Sequence, residues 1–434
     1  MAKFHNLNKQ EIYPLSLNED YLVYAPLSEL MIPMTFNEVK RLEDYLATST
    51  EDGEAEELLA YIGRERKEQR TIPLKHAANE IHKLSILPTY QCNFKCSYCY
   101  SIEGRQNKVL TRKKAMAMIN YFIDKHRTRL SDLWLAILGG GEPFLSPELT
   151  AEIIIHARKR AEEQGFNLGI GLTTNGSLYN EKLAQVMVQN EVSLGVSFEV
   201  LEDIQNLQRQ HYDKVVAVVK KYMAVGVNIT IKSIITPANV ARMEEMVIEM
   251  HRLFPSVKKY KLQIVEDSAL FANYEEMEKF YGDFSAHFFS AETIGRNLGI
   301  DVYVLASKYV DMLVEHYCGG EMCLNPEGTI TICHRKSSPR EQGYEDFVFG
   351  SVDDCGTVHI DTAHFQHLIA HNINSREECS QCFAKWHCGG GCLAQASIYN
   401  HDQLAIICEW TRNFTKSILT QRLHNASLED KEKS

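Results

Sequence analysis

The chain of 434 residues is too long for one small domain and fits two or three. Its apolar fraction of 44% allows a sizeable core, and its net charge of −11, with no basic stripe, argues against general nucleic-acid binding. The first residues lack the apolar segment of a secretory signal, and no run of about 18 apolar residues occurs. We therefore expect a cytoplasmic protein that does not cross a membrane.

Cysteine is the unusual residue of this composition. The chain has 12 cysteines, and nine of them lie between Cys318 and Cys408. Disulfide frameworks belong to oxidising compartments, whereas clustered cysteines in a reducing compartment more often bind metal. The sequence therefore predicts metal centres rather than disulfides.

Residues 1–80 are predicted to form a small separate unit of strands and helices. Segments 21–27 and 30–34 have the character of short strands. Thr35 and Glu38 have the spacing of a capping box, which predicts a helix from there to about Leu46, and a second helix is expected over 55–62.

From residue 81 to 267 the pattern alternates between strand and helix. Six such strands favour a parallel sheet, open or curled into a partial barrel, with its chemistry at the carboxyl ends of the strands. The expected strands cover residues 83–87, 133–138, 168–173, 192–198, 227–235 and 260–265. Residues 268–316 are expected to be a helical bridge, 317–412 a Cys-rich domain and 413–434 a charged tail.

Three cysteines follow the first expected strand with the spacing C-x3-C-x2-C: Cys92, Cys96 and Cys99. Three thiolates on one short loop can hold three corners of an iron–sulfur cube, and the fourth iron is then open to a reactant. The alternative is a zinc loop, which usually recruits a fourth Cys or His. We call these three residues the first cysteine loop.

The first cysteine loop, with Tyr98 before its last cysteine, resembles the radical S-adenosylmethionine (SAM) superfamily. Gly139-Gly140-Gly141-Glu142-Pro143, after the second strand, resembles the GGEP motif of that family. The resemblance implies a partial (β/α)6 barrel and a [4Fe–4S] cluster that binds SAM. It also implies that Gly140, Gly141 and Glu142 contact the methionine part of SAM and that Tyr98 lies near the adenine.

Two further strand ends resemble the same family. Thr173-Thr174-Asn175-Gly176 is similar to the family's TNG turn, although it equally suits an ordinary turn. Ser197 and Arg209 are in register with a ribose contact and a partner of the SAM carboxylate. The residues around them that depart from the family's pattern are Glu199, Val200, Gln205 and Asn206.

The C-terminal cysteines resemble the SPASM extension of some radical SAM enzymes. They form the ladder Cys379-x2-Cys382-x5-Cys388-x3-Cys392, followed by Cys408, after a hairpin Cys318-x9-Gly328-x4-Cys333 whose turn is 325–328. The resemblance implies two auxiliary Fe–S clusters. We call the cysteines expected to hold them the outer set and the inner set. The outer set is Cys379, Cys382, Cys388 and Cys408, and the inner set is Cys318, Cys333 and Cys392.

We prefer Cys323 as the fourth inner ligand over an open position. Cys355 remains as a free thiol, and a zinc ribbon is the alternative for the ladder.

These resemblances are strongest to radical SAM/SPASM maturases of ribosomally made peptides (RiPPs). They imply a cytoplasmic oxidoreductase that cleaves SAM reductively and abstracts hydrogen from a precursor peptide, installing a crosslink or an oxidation. An electron donor such as flavodoxin or ferredoxin is implied, and residues 1–80 are a candidate leader-binding element.

Two other functions remain open from the sequence. The first is an anaerobic sulfatase maturase, but those relatives carry Asp where this hairpin has His334. That histidine could act as a base, or it could be a half-exposed hairpin residue without a catalytic role. The second is an iron–sulfur redox or binding protein without radical chemistry, which would not need the glycine motif that SAM binding uses.

Overall fold

A computed structural model of the protein describes residues 4–48, 51–66, 71–72, 77–317 and 319–433. Cys318 lies outside the described residues. Within these ranges, no helix is both long enough and apolar enough to cross a bilayer.

The N-terminal unit consists of a three-stranded antiparallel sheet with helices on one face. Its elements are α1 (His5–Lys9), β1 (Tyr13–Leu17), β2 (Asp20–Ala25), β3 (Leu30–Met34), α2 (Phe36–Thr48) and α3 (Gly53–Arg64). The strand order is β1-β2-β3. The predicted capping box is present, since the Thr35 N–H donates to Glu38 Oε2 at 2.7 Å and the Glu38 N–H donates to Thr35 Oγ1 at 3.4 Å. Sequence analysis missed β1 and α1.

The two faces of this small sheet serve different cores. Val23 and Ala25 pack with the three helices in a separate small core. Tyr13, Leu22 and Tyr24 instead belong to the main core of the molecule. The N-terminal unit therefore rests on the rest of the chain by one whole sheet face.

All six strands expected in the barrel are present, and each lies parallel to its neighbours. After β4 (Thr71–Ile72), these strands are β5 (Lys83–Ile86), β6 (Asp132–Ile137), β7 (Asn167–Thr174), β8 (Ser193–Ser197), β9 (Asn228–Ile235) and β10 (Lys259–Ile264). Consecutive strands pair along the sheet from β5 to β10.

Helices connect these strands and cover one face of the sheet, as in a partial TIM-type barrel. They are α4 (Arg112–Phe122), α5 (Pro147–Gln164), α6 (Glu181–Gln189), α7 (Glu202–Gln208), α8 (Tyr212–Ala224) and α9 (Met243–Leu253). Pro at the first position fixes the start of α5. Gly226, with φ of 83°, follows the end of α8 and lets the chain turn into β9.

The segment after the barrel contains more strand than the helical bridge that we expected. It comprises α10 (Tyr274–Asn297), β11 (Asp301–Tyr303), α11 (Leu305–Tyr309) and β12 (Leu313–Val314). Strand β11 pairs in parallel with β10, and β12 pairs with β4. The short strand at Asp301 was missed because three residues give too little alternation for a pattern to be visible.

The Cys-rich part extends the barrel sheet on the other side. Its elements are β13 (Met322–Leu324), β14 (Thr329–Thr331), β15 (Val348–Val352), β16 (Val358–Ile360), α12 (Thr362–Ile369), α13 (Lys385–Cys388), α14 (Leu393–Ala396) and α15 (His401–Lys433). Strand β13 pairs in parallel with β5 and forms the expected hairpin with β14. Helix α15 runs through the boundary predicted between residues 412 and 413.

Candidate active site

The first cysteine loop lies between β5 and α4, where the barrel strands end. The Ser97 N–H donates to the Gln208 carbonyl at 2.9 Å, which ties the loop to the end of α7. Arg105 Nη2 donates to Cys99 Sγ at 3.2 Å. Burial raises the pKa of Cys92 and of Cys96, and each is raised further by neighbouring thiols of the same loop. The three sulfur atoms therefore converge on one half-buried place.

The glycine motif packs tightly against the start of this loop. The Glu142 N–H donates to the Gln91 carbonyl at 2.7 Å. A Cβ on Gly141 would lie 2.0 Å from that same carbonyl oxygen, and one on Gly140 would lie 2.9 Å from the Tyr90 ring. We expected glycines here for the approach of a ligand, but the structure shows that backbone packing against 90–91 already requires them.

Glu142 joins the glycine motif to the turn after β7. It is 2% exposed, and its carboxylate accepts from the Asn175 N–H at 2.7 Å, Thr174 Oγ1 at 2.7 Å and the Phe144 N–H at 3.1 Å. Asn175 Nδ2 also donates to Asn93 Oδ1 on the cysteine loop at 2.9 Å. These bonds bring all three motifs to one end of the barrel, and they show that the Glu142 side chain is occupied by protein donors.

Tyr98, Glu199 and Arg209 form a buried network on the opposite wall. The Tyr98 hydroxyl donates to Glu199, and Arg209 Nη1 donates to the Tyr98 oxygen at 2.9 Å. Arg209 Nη1 lies 3.8 Å from Glu199 Oε1, and burial raises the pKa of Glu199 to about 7. Arg209 is 7% exposed, and its Nε has no hydrogen-bond partner among the described residues. A buried guanidinium with an unused donor fits an anionic group of a ligand.

Glu199 departs from the family's usual residue at its position, and the structure gives a reason for its presence. Its second oxygen accepts from the Ile234 N–H at 2.9 Å, while its own N–H donates to Gln205 Oε1 at 2.9 Å. It thus fastens the end of β8 to β9 and to α7. Ser197 ends β8 and pairs with Lys232 across the sheet, so it lies on the same wall.

His334 contacts a buried carboxylate rather than standing alone. Its Nδ1 and its backbone N–H lie 2.6 and 2.7 Å from Glu321 Oε1. Glu321 Oε2 accepts from Lys83 Nζ at 2.6 Å and from Ser85 Oγ at 2.5 Å. Tyr100, next to Cys99, meets the His334 ring edge-on at 6.1 Å. Sequence analysis missed Glu321, which lies between two cysteines but faces β5.

The predicted outer cysteine set comes together in the fold. Burial raises the pKa of Cys388 to about 12, and Cys408, Cys382 and Cys379 raise it further. Four thiols brought together across α13 and α15 suit one iron–sulfur cube. Cys355, the predicted free thiol, is exposed in a turn away from this set.

The inner set is less complete. Cys333 and Cys392 are half-buried, whereas Cys323 is fully buried against Leu87 and Tyr90. Cys333 shares a small cluster of candidate ligand atoms with Glu321 and His334, all within 4.8 Å of one another. Cys323 is not part of that cluster, so its assignment as the fourth inner ligand stays a prediction.

The thiols could hold either a single zinc ion or an iron–sulfur cube, and the two metals require different spacings. Sulfur atoms on one tetrahedral zinc lie about 3.8 Å apart, given Zn–S bonds of about 2.3 Å. Within the described part of the chain, neither the first cysteine loop nor the outer set brings three ligand atoms within 4.8 Å of one another. In a cube each thiolate binds a different iron, so the thiolates stand farther apart than on one zinc ion. The all-thiol donor sets are thus compatible with [4Fe–4S] clusters.

The fold and this site together define a partial barrel that carries a three-thiol loop, a glycine motif and a buried arginine at one end. Residues 86–249 match the model of the radical SAM superfamily. The matched segment, which runs from the end of β5 into α9, is a radical SAM domain.

Three curated relatives illustrate the range of similarity. An uncharacterized protein of Methanocaldococcus jannaschii is 29% identical over 26% of this chain. The matched segment covers only 37% of the length of that relative. The cysteine-type anaerobic sulfatase-maturating enzyme of Clostridium perfringens is 24% identical over 69% of this chain and 85% of its own. The radical SAM cyclopropyl synthase TigE of Paramaledivibacter caminithermalis is 21% identical over 75% of this chain and 71% of its own.

Two solved structures share the fold. Native anSMEcpe with bound AdoMet and Cp18Cys peptide has a TM-score of 0.61 at 16% identity, covering 80% of this chain and 99% of that one. SuiB of Streptococcus suis bound to precursor peptide SuiA has a TM-score of 0.52 at 12% identity, covering 91% of this chain and 97% of that one. The partial barrel with a Cys-rich C-terminal part is therefore confirmed.

Proposed function

We propose that this protein is a radical SAM peptide maturase that modifies a ribosomally made precursor peptide. The observation that carries the proposal is the convergence of the first cysteine loop, the glycine motif and the Arg209 wall at one barrel end. A cluster on Cys92, Cys96 and Cys99 would supply the electron that cleaves SAM into methionine and a hydrogen-abstracting 5′-deoxyadenosyl radical. Two auxiliary clusters are proposed on the outer and inner cysteine sets.

The residues of the chain would bind and orient SAM from two sides. The backbone of 139–141 would face its amino group, because the Glu142 side chain is engaged with Asn175 and Thr174. Arg209 would pair with its carboxylate through the unused Nε–H. Tyr98 would line the adenine side, held in place by Glu199.

The N-terminal unit favours a peptide substrate. Among the described residues, β3 pairs with β2 on one side only, and Pro33 marks it as an edge strand. An edge strand offers N–H and C=O groups to which an extended peptide can add. The alternative is that this sheet only covers the body, which its packing against the main core also allows. SuiB is bound to its precursor peptide SuiA, and anSMEcpe is bound to the Cp18Cys peptide, which supports the first interpretation.

Sulfatase maturation remains the second candidate, since the Clostridium perfringens enzyme matches over most of both chains. A peptide containing the sulfatase cysteine or serine motif would be oxidised if that candidate were right. His334, paired with Glu321, would then have to replace the usual carboxylate as the proton acceptor.

The first test is SAM cleavage by the anaerobic holoprotein with dithionite. We expect 5′-deoxyadenosine to form, and its absence from a protein with intact clusters would leave the interpretation as an iron–sulfur redox or binding protein. An electron donor such as flavodoxin or ferredoxin should replace dithionite.

The second test concerns the peptide. Hydrogen–deuterium exchange with a precursor peptide encoded beside the gene should slow for amides of β3 and not for those of β1, which serves as the internal control. Equal exchange with and without peptide, while the peptide is still modified, would show that β3 is not the docking edge. Deleting residues 1–78 is a poorer test, because it would expose the core face that Tyr13 and Tyr24 cover.

A further inference from the structure

The inner face of the barrel carries glycines on two neighbouring strands, β7 and β8. On β7 the helix-facing Leu168, Ile170 and Leu172 are buried, and the alternate positions Gly169 and Gly171 lie against the Trp134 ring. A Cβ on Gly169 would lie 2.3 Å from that ring, so glycine is required for the ring to rest on the sheet. Trp134 keeps 39% of its surface exposed in this position. An exposed aromatic platform inside a barrel is a surface for a ligand.

Two lysines project from the same face, next to this platform. Lys232 on β9 pairs in register with Lys261 on β10. Lys232 Nζ donates to Thr173 Oγ1 at 3.1 Å, and a Cβ on Gly195 would lie 2.4 Å from its Cε and Nζ. The absence of a side chain at Gly195 therefore leaves the space over β8 that the extended Lys232 side chain occupies.

Neither lysine has a carboxylate partner among the described residues. The nearby acidic groups are already engaged, because Glu321 pairs with Lys83 and Glu266 pairs with Arg335. Burial lowers the pKa of Lys232 and of Lys261 to about 8. Neighbouring cations lower both pKa values further. Lys261 and Lys83 act on Lys232, and Arg335 and Lys83 act on Lys261. Two half-buried ammonium groups that repel one another are costly unless an anion joins them.

We propose that Lys232 and Lys261 bind a carboxylate of the substrate peptide inside the barrel, in the form of an aspartate or glutamate side chain. This inference rests on the proposed function and adds the class of residue that enters the barrel. The aliphatic part of that residue would lie on Trp134, while its carboxylate would replace the missing counter-charge. The residue that faces the 5′ carbon of SAM would be this acidic residue or its immediate neighbour.

The SAM carboxylate is the rival occupant, because Lys232 pairs across the sheet with Ser197. Arg209 is already placed for that carboxylate, and its Nε is unused among the described residues. Lys261 lies one strand farther from Ser197, so SAM bound at Arg209 would leave it without a partner. SAM affinity and peptide chemistry therefore distinguish the two occupants.

The test follows deuterium from three small probes into 5′-deoxyadenosine, using the holoprotein with SAM and dithionite. The probes, deuterated at Cα, Cβ and Cγ, are N-acetyl-glutamate N-methylamide, its glutamine analogue, and N-acetyl-glutamine with a free C-terminal carboxylate. A deuterium atom leaves the probe carbon and enters the 5′ methyl group. The carbon radical left on the probe takes an electron from dithionite and a proton from water, and mass spectrometry of 5′-deoxyadenosine counts the transfers. We expect transfer from the glutamate probe to exceed that from the glutamine amide by about 10- to 100-fold, the size of a charged hydrogen bond.

Lys232→Met and Lys261→Met should each reduce transfer from the glutamate probe by about 10-fold or more and should change the SAM dissociation constant by less than about 3-fold. Gly195→Ala should act like Lys232→Met, because it displaces the same side chain. Lys259→Met, on the exposed start of β10, is the matched control. These lysine variants remove buried charge, so loss of folding is not expected.

Each other outcome overturns the inference. Transfer only from N-acetyl-glutamine would assign the lysines to a peptide C-terminus instead of a side chain. A large loss of SAM affinity in both lysine variants would assign them to the SAM carboxylate. Equal transfer from the charged and neutral amides, or no transfer while 5′-deoxyadenosine still forms, would show that no acidic residue is bound. Failure to form 5′-deoxyadenosine at all would instead reject the proposed function.

Discussion

Replacing Glu142 with Gln tests whether this residue acts as a brace between motifs or as a direct contact of SAM. In the structure both carboxylate oxygens are used within the protein. Oε1 accepts from Thr174 Oγ1 and the Phe144 N–H, and Oε2 accepts from the Asn175 N–H. An amide keeps one accepting oxygen, and its NH2 group must then face the N–H of Asn175.

The magnitude follows from the bonds that change. Loss of the charge-assisted hydrogen bond to Asn175 costs about 1.5–3 kcal/mol. A buried N–H is then left opposite another donor, which costs about 1–3 kcal/mol more. Burial raises the pKa of Glu142, so removing its charge recovers part of this cost. We expect the free energy of unfolding to fall by about 2 kcal/mol. Glu142→Ala should cost more, because three buried donors lose their acceptor.

The assay is anaerobic denaturant unfolding of the holoprotein without SAM, followed by circular dichroism, with equilibrium dialysis of SAM in parallel. Glu148→Gln, exposed in the first turn of α5, is the control and should cost less than about 1 kcal/mol. If Glu142→Gln were as stable as the wild type without SAM and yet bound SAM much more weakly, Glu142 would be a SAM contact and the brace interpretation would be wrong.

Three further predictions concern iron content and pH. Replacing all three cysteines of the first cysteine loop with Ala should remove about four irons per chain and all 5′-deoxyadenosine formation, while the auxiliary clusters remain; an active triple variant would refute the assignment. Cys355→Ala should keep the full iron load, whereas Cys382→Ala or Cys388→Ala should lose part of it, and equal loss in all three would overturn the ligand partition. Burial raises the pKa of Glu341 to about 7, so the stability that it contributes is present below the unfolded pKa and is lost as pH rises through 7. Between pH 6 and pH 8, the free energy of unfolding of the wild type should fall by about 1 kcal/mol more than that of Glu341→Gln. Parallel stability profiles of the two proteins would contradict this.

The barrel could be predicted because its strands are long enough to show their pattern and because turn residues mark their ends. The expected strand over 168–173 is present as Asn167–Thr174, and the expected strand over 227–235 is present as Asn228–Ile235. The first cysteine loop and the ladder Cys379 to Cys392 could be proposed from the sequence for a similar reason, since cysteines are few and their spacing in these two segments is short.

The sequence does not reveal contacts between residues that are far apart along the chain. Glu321 contacts Ser85 across 236 residues of chain, and Lys232 meets Thr173 across 59. No local pattern distinguishes these lysines and carboxylates from surface charges. The reason for the glycine motif was also hidden, because the obstacle at Gly141 is the backbone of another loop.

The N-terminal unit and the outer cysteine set are joined by one buried ion pair. Glu11 accepts from Lys385 Nζ at 2.6 Å and from Trp386 Nε1 at 2.7 Å. Both partners belong to α13, which ends at Cys388, and Cys382 lies just before it. Tyr24 supports the same helix, since its hydroxyl lies 2.5 Å from His387 Nε2.

Glu11→Ala should therefore weaken the outer set without touching a ligand. The Lys385 side chain is 9% exposed, so losing Glu11 leaves a nearly buried cation unpaired, at about 1–3 kcal/mol. We expect iron of the outer set to be released to a chelator about 10-fold faster, while the first cysteine loop keeps its iron and its SAM cleavage. Glu19→Ala, exposed in the turn between β1 and β2, is the control. Equal release rates in wild type and both variants would show that the N-terminal unit does not hold α13 in place.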